Sequence, residues 1–431
     1  MSFFEKCRGF TVKVNGGSGV IFQPMTEDYT YILTAKHTLY SDPKTMNIPI
    51  KENQIQAIDI EINFIDKYEH HELDIAILKI EKIDIETPLK EFEIISKDLN
   101  YEFYGYPNYK RNENGEILEQ IENYEVNFSK QNENLVTFDN PKFANIDEII
   151  GTSGGGVFRE VGKLIYLVAI EYEMNAKEGS IATHQRIDAV SIEAFDEIIE
   201  NYNDELVPLY PPHMASFNVL LDDIFLLNSM EEVEKSLVQQ RLRKIAENLS
   251  KNIKPIDIKN KYQLLEKNYN EKYYSNKELW SMYLEFIVIS VFLDLCSPIS
   301  IEAIEDIHKK RKFLYIKSDD WKKKKEEILT SNFSLLKKNS TVIICCDGDR
   351  KPTSCILKTK TLTNIGNAIM VEDFNISQGV NSPHEDLKFK HIHAIQKQMI
   401  DDCDNGDSIF DGANANNIEE IIKDEIYKVF N

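Results

Sequence analysis

Cysteine is scarce and badly spaced for cross-linking: Cys7, Cys296, Cys345, Cys346, Cys355 and Cys403 are scattered over 431 residues, two of them adjacent. That argues against a disulfide framework and fits thiols kept reduced in a cytosol. Long hydrophobic runs are missing too. The most apolar stretch, WSMYLEFIVISVFLDLC at 280–296, is short for a bilayer and carries Glu285 and Asp294, so a buried helix is expected there. The first residues, MSFFEKCRGF, lack the basic region, apolar stretch and small-residue cleavage site of a secretion signal, which points to a cytoplasmic protein. Positive charge is in deficit. Fifty Lys and Arg face 72 Asp and Glu, and the formal net charge of −22 repels phosphate backbones and anionic membranes. Neither nucleic acid nor a membrane is therefore an expected partner. Glycine and proline, at 17 and 13, are too few for a fibrous or disordered chain. What is present is 42% hydrophobic residues and a length that calls for two or three domains.

The texture divides the chain. Up to about residue 190 the runs are short and β-like (FTVKV, GVIF, YTYILTA, DIAILKI, YEFYGYP, LIYLVAI), punctuated by turn clusters such as VNGGSG and PNYKRNENG. Many short strands at close spacing suggest a barrel or sandwich. SIEAFDEIIENYNDEL, 191–206, has helical spacing behind a serine that can cap it, and the prolines of VPLYPPHM, 207–214, mark a linker. Beyond it the chain is rich in Leu, Lys and Glu at helical spacing, with a short β-like insert at 340–362 and a closing amphipathic helix, NIEEIIKDEIYKVFN.

IDEIIGTSGGGVFRE, 146–160, packs four glycines into positions 151–156 around Ser153. Alone it reads more readily as a glycine turn between strands than as a nucleophile loop. His37 follows a β-like run in YILTAKHTLY, and histidine is the usual general base at neutral pH, although a single histidine after a strand is more often structural. Asp74 stands at the mouth of the apolar strand in HHELDIAILKI, where an unpartnered carboxylate is costly, and it too can be a turn residue.

Together and in this order, behind GSGV at 17–20, the three motifs resemble those of the chymotrypsin-like (trypsin-like) serine peptidases over about 190 residues. The resemblance implies that Ser153 attacks a peptide carbonyl, that His37 shuttles the proton and that Asp74 holds the imidazole tautomer. The backbone N–H groups of Gly151 and Ser153 are then the expected oxyanion donors. Secreted members carry Asp before the nucleophile and are activated by a cut N-terminus. Here Thr152 takes that position, and GSGVIF and YGYP look closer to intracellular bacterial relatives. The residue six positions before the nucleophile lies at the base of the family's specificity pocket. That offset lands on Asp147, which implies cleavage after Arg or Lys; the other reading is an exposed acidic turn with Glu148. Glu171 and Tyr172 are expected to line the pocket wall.

Other candidates are read structurally. Cys345, Cys346 and Cys355 with His391 and His393 match no zinc spacing, and strand alternation sends the adjacent pair to opposite faces. No metal and no cofactor is expected. DDCDNGD at 401–407 lacks the ordered oxygen positions of a calcium loop, and CCDGDR at 345–350 is turn chemistry. His70 and His71 are expected to be exposed, and KKRK at 309–312 and KKKK at 322–325 are read as solvated helix faces, the other reading being a local docking patch for nucleic acid.

The expected architecture is multi-domain: an all-β, trypsin-like double barrel at 1–206, a linker at 207–214, and an α-rich α+β domain at 215–431. Trypsin-like domains fused to such C-terminal regions look like components of bacterial conflict and antiphage systems, which implies a co-encoded protein substrate and a regulatory protein partner on the C-terminal domain. The expected function is a serine endopeptidase gated by that domain. The alternative is a catalytically silent trypsin-fold scaffold.

Overall fold

The computed structural model describes residues 1–41, 46, 55–57, 61–107, 121–140, 151–174, 186–227, 232–262, 271–294, 300–318, 324, 328, 331, 333, 336, 339–346, 387–404, 413–414 and 416–430. The chain separates into two compact units, Met1–Pro212 and His213–Asn431.

The first unit is built on two sheets. The strands of the first are β1 (Thr11–Val14), β2 (Gly17–Phe22), β3 (Tyr29–Thr34), β4 (Ile55–Gln56), β5 (Phe64–Glu69) and β6 (Ala76–Glu81). The second has β7 (Leu89–Lys90), β8 (Tyr101–Gly105), β9 (Glu122–Asn132), β10 (Leu135–Asp139), β11 (Gly156–Val161), β12 (Leu164–Met174) and β13 (Arg186–Ser191). The first sheet runs β4-β1-β2-β3-β6-β5 and stays open among the described residues. The second runs β11-β8-β9-β10-β13-β12-β7, and an additional β11–β12 pairing closes it into a barrel. The expected pair of barrels is therefore one barrel and one half-barrel.

Strand alternation distributes three cores. On β3, Ile32 faces the interior of the first sheet with Val12, Ile21, Leu78 and Ile80, whereas Tyr31 and Leu33 face the other way. There they join Phe22, Ile77, Phe158, Leu167 and Ile170 in a core shared by both sheets. The barrel interior holds Phe103, Val126, Phe138, Val157 and Ile187. Strands buried on both faces read as unbroken apolar runs, which is why YILTA and LIYLVAI show no polar alternation.

Two helices flank the sheets. Helix α1 (Phe3–Phe10) was not expected from the sequence. Ser2 and Glu5 form a capping box at its start, with Ser2 N–H donating to Glu5 Oε2 at 2.7 Å. The helix expected at 191–206 begins with a short turn capped by Ser191 and continues as α2 (Phe195–Asn201). It stops at Asn201 because the chain turns back to the half-barrel, where Leu206 and Leu209 are buried in the shared core. Val207 N–H donates to Tyr31 Oη at 2.8 Å, Tyr31 Oη donates back to Val207 O at 3.2 Å, and Met25 N–H donates to Pro208 O at 3.1 Å. Residues 206–209 thus belong to the first unit, and only the later part of the 207–214 segment lies at the division.

The second unit contains α3 (Glu232–Ser250), α4 (Pro255–Tyr262), α5 (Lys277–Asp294), α6 (Ile301–Lys310), β14 (Arg311–Ile316), β15 (Thr341–Cys346), β16 (Lys388–His391), α7 (Ala394–Asp404) and α8 (Ile418–Phe430). Helix α5 is buried on nearly every side, and among the described residues no helix is long and apolar enough to cross a membrane. The β-like insert at 340–362 contributes β15, the middle strand of a parallel sheet ordered β14-β15-β16; 347–362 lie outside the described residues. KKRK is not one helix face: α6 ends at Lys310 and β14 starts at Arg311, which pairs with Asp294 at 2.9 Å. Of KKKK, only Lys324 is described.

Candidate functional site

His37 and Asp74 meet where two neighbouring strands of the half-barrel end and begin. Strand β3 finishes at Thr34, and a single 3₁₀ turn, Lys36–Leu39, lifts His37 off the sheet edge. Asp74 precedes β6, which pairs with β3 through Thr34 and Ala76. One carboxylate holds the histidine twice: His37 N–H donates to Asp74 Oδ1 at 2.8 Å, and His37 Nδ1 lies 2.7 Å from Asp74 Oδ2. With Nδ1 facing the carboxylate, the neutral ring carries its hydrogen on Nδ1 and leaves the Nε2 lone pair free, the tautomer a general base requires.

The loop carrying Asp74 is itself anchored by a residue that the sequence placed at the surface. His70, expected to be exposed, is 3% exposed. Its Nδ1 accepts from the Glu72 and Leu73 amides at 3.1 and 2.9 Å, its Nε2 meets Glu197 on α2 at 3.0 Å, and its carbonyl accepts from Lys36 Nζ at 2.8 Å. It therefore ties the Asp74 loop to the His37 turn. His71 is exposed, as expected.

Ser153 lies on the tight turn entering β11, between Gly151 at φ 96° and Gly154 at φ 93°. Gly155 N–H donates to Thr152 O at 2.7 Å within the turn. Two strands hold it from outside. From β12, Glu171 O accepts from Gly154 N–H at 2.7 Å and Glu171 N–H donates to Gly155 O at 2.8 Å. From β2, Ser18 N–H donates to Ser153 O at 2.7 Å, and Ser18 Oγ donates to Gly151 O at 3.2 Å. Gly17 shows how close the serine turn comes to the histidine turn. A Cβ there would stand 2.5 Å from both Ser153 O and Thr38 Cγ2. The GSGV motif is thus a floor that both turns share. Among the described residues no hydrogen bond joins Ser153 Oγ to His37 Nε2, and such bonds often tighten only when substrate arrives.

The pocket expectations fare differently. Asp147 lies outside the described residues. Tyr172 is half-buried against the shared core, and Glu171 is 1% exposed, its side chain sealed beneath the Ser153 turn. Burial pushes the Glu171 carboxyl up to about 8, with Asp74, Asp188 and Glu173 adding to the rise and a hydrogen bond with Thr152 opposing it. In the second unit, Cys345 is fully buried on β15 while Cys346 faces the other way, its Sγ 3.3 Å from His391 Nε2. Among the described residues no group of three His, Cys, Asp or Glu side chains is arranged to hold a metal. Cys355 and 405–407 of the acidic run lie outside the described residues.

Residues 189–401 match the family described as CTD4, C-terminal domain 4 of the ABC-three component (ABC-3C) systems. The matched segment starts within β13 of the first unit and runs through most of the second. It fits the expectation of a system-associated C-terminal domain. No curated protein matches the chain.

Proposed function

We propose that the first unit is a serine endopeptidase and that the chain works as a component of an ABC-three component system, in bacterial antiphage defence, on a protein substrate. The observation that carries the catalytic reading is the double hold of Asp74 on His37, at 2.7 and 2.8 Å, beside a glycine-bounded serine turn pinned to the same floor. In this mechanism Ser153 Oγ attacks the carbonyl carbon of the scissile peptide while His37 Nε2 takes its proton. His37 then protonates the leaving amine, leaving an acyl ester on Ser153. Water, deprotonated by the same imidazole, hydrolyses that ester. The Gly151 and Ser153 amides are the proposed oxyanion donors; one such donor typically contributes about 10²–10³ in rate. Cleavage after Arg or Lys, through Asp147, belongs to the same reading, and the matched C-terminal segment supports a protein partner for the second unit.

The test is intact-mass analysis of the full chain treated with a fluorophosphonate, beside Ser153→Ala and His37→Ala. A single adduct on the wild type and none on either variant is expected. If the wild type stays unlabelled both alone and with the companion proteins of its system, the silent-scaffold reading replaces the peptidase. Asp147→Ala is expected to abolish the preference for Arg and Lys in a peptide library.

A further inference from the structure

We propose that Glu171 is a positioning residue of this site that supports the Ser153 turn as a neutral carboxylic acid, and that its ionisation disassembles the turn. The inference rests on the peptidase reading and assigns Glu171 a role other than lining a substrate pocket.

Three observations converge on it. First, Glu171 touches the nucleophile turn through both backbone and side chain. Its carbonyl accepts from Gly154 N–H and its amide donates to Gly155 O, at 2.7 and 2.8 Å, while its carboxyl is hydrogen-bonded to Thr152, the residue before Ser153. Second, the side chain is 1% exposed, and Oε2 has no hydrogen-bond partner among the described residues. A carboxylate here would forgo hydration with only the Thr152 hydrogen bond in return, whereas the protonated acid needs far less solvation. Third, the charged groups that act on it most strongly are acidic: Asp74 from the loop before β6, Asp188 from β13 and Glu173 from its own strand. Asp74 is committed to His37 by two hydrogen bonds, and Asp188 accepts from Thr137 Oγ1 at 2.6 Å. Ionising Glu171 would add a buried negative charge within electrostatic reach of partly exposed Asp74, the residue that orients the imidazole.

The consequence is an alkaline limit to activity that belongs to a structural carboxyl. Burial pushes that carboxyl up to about 8, so it is neutral at lower pH and ionises around that value. Glutamine reproduces the neutral acid in shape and polarity but cannot ionise, so Glu171→Gln separates the charge from the packing.

The experiment is the rate of fluorophosphonate labelling of the full chain from pH 6 to pH 10, for wild type and Glu171→Gln. The wild-type rate is expected to fall about tenfold per pH unit above about 8. The glutamine variant is expected to label within a few-fold of wild type at pH 7 and to lack that alkaline fall. Glu171→Gln following the same alkaline fall as wild type would overturn the proposal. So would a glutamine variant that folds but labels no faster than Ser153→Ala at pH 7. If the wild type fails to label at any pH, with or without its companion proteins, the peptidase reading is what fails. The neutral-acid claim is then decided by urea unfolding: it holds if wild type loses stability relative to Glu171→Gln between pH 5 and pH 9, and falls if the two keep pace.

Discussion

Gly154→Ala is the sharpest test of how the serine turn is held. Gly154 has φ +93°, and a Cβ there would stand 1.9 Å from Ser18 O and 2.4 Å from Thr34 Oγ1. Neither neighbour can easily give way, because Thr34 Oγ1 already donates to Ser18 O at 2.6 Å inside a buried strand pair. Real Cβ atoms stay beyond 3.0 Å, so the turn must retreat from β2 by about an ångström and shift against β12. Such a retreat breaks two 2.7 Å bonds, Ser18 N–H to Ser153 O and Gly154 N–H to Glu171 O. Each amide left buried without an acceptor costs about 1–3 kcal/mol, and the left-handed backbone adds about 1–2 kcal/mol for any residue with a Cβ. The expected loss is at least about 3 kcal/mol, a large part of the roughly 5–15 kcal/mol that holds a typical domain together. Gly162→Ala is the control. Gly162 has φ +67° but nothing within 4 Å of an added Cβ, so it bears only the backbone cost. Urea unfolding of both variants, with fluorophosphonate labelling, reads the difference. Gly154→Ala is expected to unfold at markedly lower urea and to lose the label, whereas Gly162→Ala keeps it. Equal midpoints and equal labelling would refute the claim that β2 and β12 clamp the turn.

Two further predictions follow from the carboxylates. Asp74→Asn keeps the shape of the side chain but replaces one acceptor with an NH₂ group, so one of its two bonds to His37 is lost or the ring is held in the wrong tautomer. Labelling is expected to slow by about 10³–10⁴ with little change in the melting temperature, and a labelling rate within tenfold of wild type would sink the assignment. For Glu171 the sign of the pH effect on stability runs against that of most carboxylates. Its carboxyl is raised in the fold from an ordinary 4.5 to about 8, so its contribution is fully present below about pH 4.5 and is lost as the pH rises through about 8. At about 1.4 kcal/mol for each tenfold change in proton affinity, wild type is expected to lose up to about 5 kcal/mol relative to Glu171→Gln over that interval. Urea titrations of the two proteins at pH 5, 7 and 9 measure the gap directly.

What the sequence reveals of this molecule follows from how local each signal is. Strands β3 and β12 are legible because burial on both faces makes them largely apolar runs, and β2 and β6 stand out through the stretches GVIF and AIL despite Ser18 and Lys79. The closure of the barrel is not legible, since it requires β11 to pair with both β8 and β12, and nothing in GVFREV records two partners. The second unit's parallel sheet is hidden for a related reason: β14 begins inside a lysine-rich segment that resembles a helix face, and its partner β15 starts 30 residues further on. The triad candidates stand out because each sits at the end of an apolar run beside turn chemistry. Their supports do not. His70 and His71 are indistinguishable in sequence, and only the meeting of His70 with Glu197, 127 positions away, makes one a buried anchor and leaves the other in water.

Glu171 lies between these cases, because its sequence context carries a signal that fits more than one face of the strand. LIYLVAIEYEM places one carboxylate directly after seven residues with no charge, in a strand whose neighbours Ile170 and Tyr172 both pack on the shared core. Beside a catalytic motif such a residue suggests a pocket wall. Strand alternation cannot settle which face it takes, because the β12–β13 register shifts between Glu171 and Glu173 and the simple period of two fails at that point. Burial settles it: a carboxyl sealed under the serine turn among acidic neighbours persists only by keeping its proton. The same residue that looks like a substrate contact in one dimension is, in three, a support whose charge the site has to exclude.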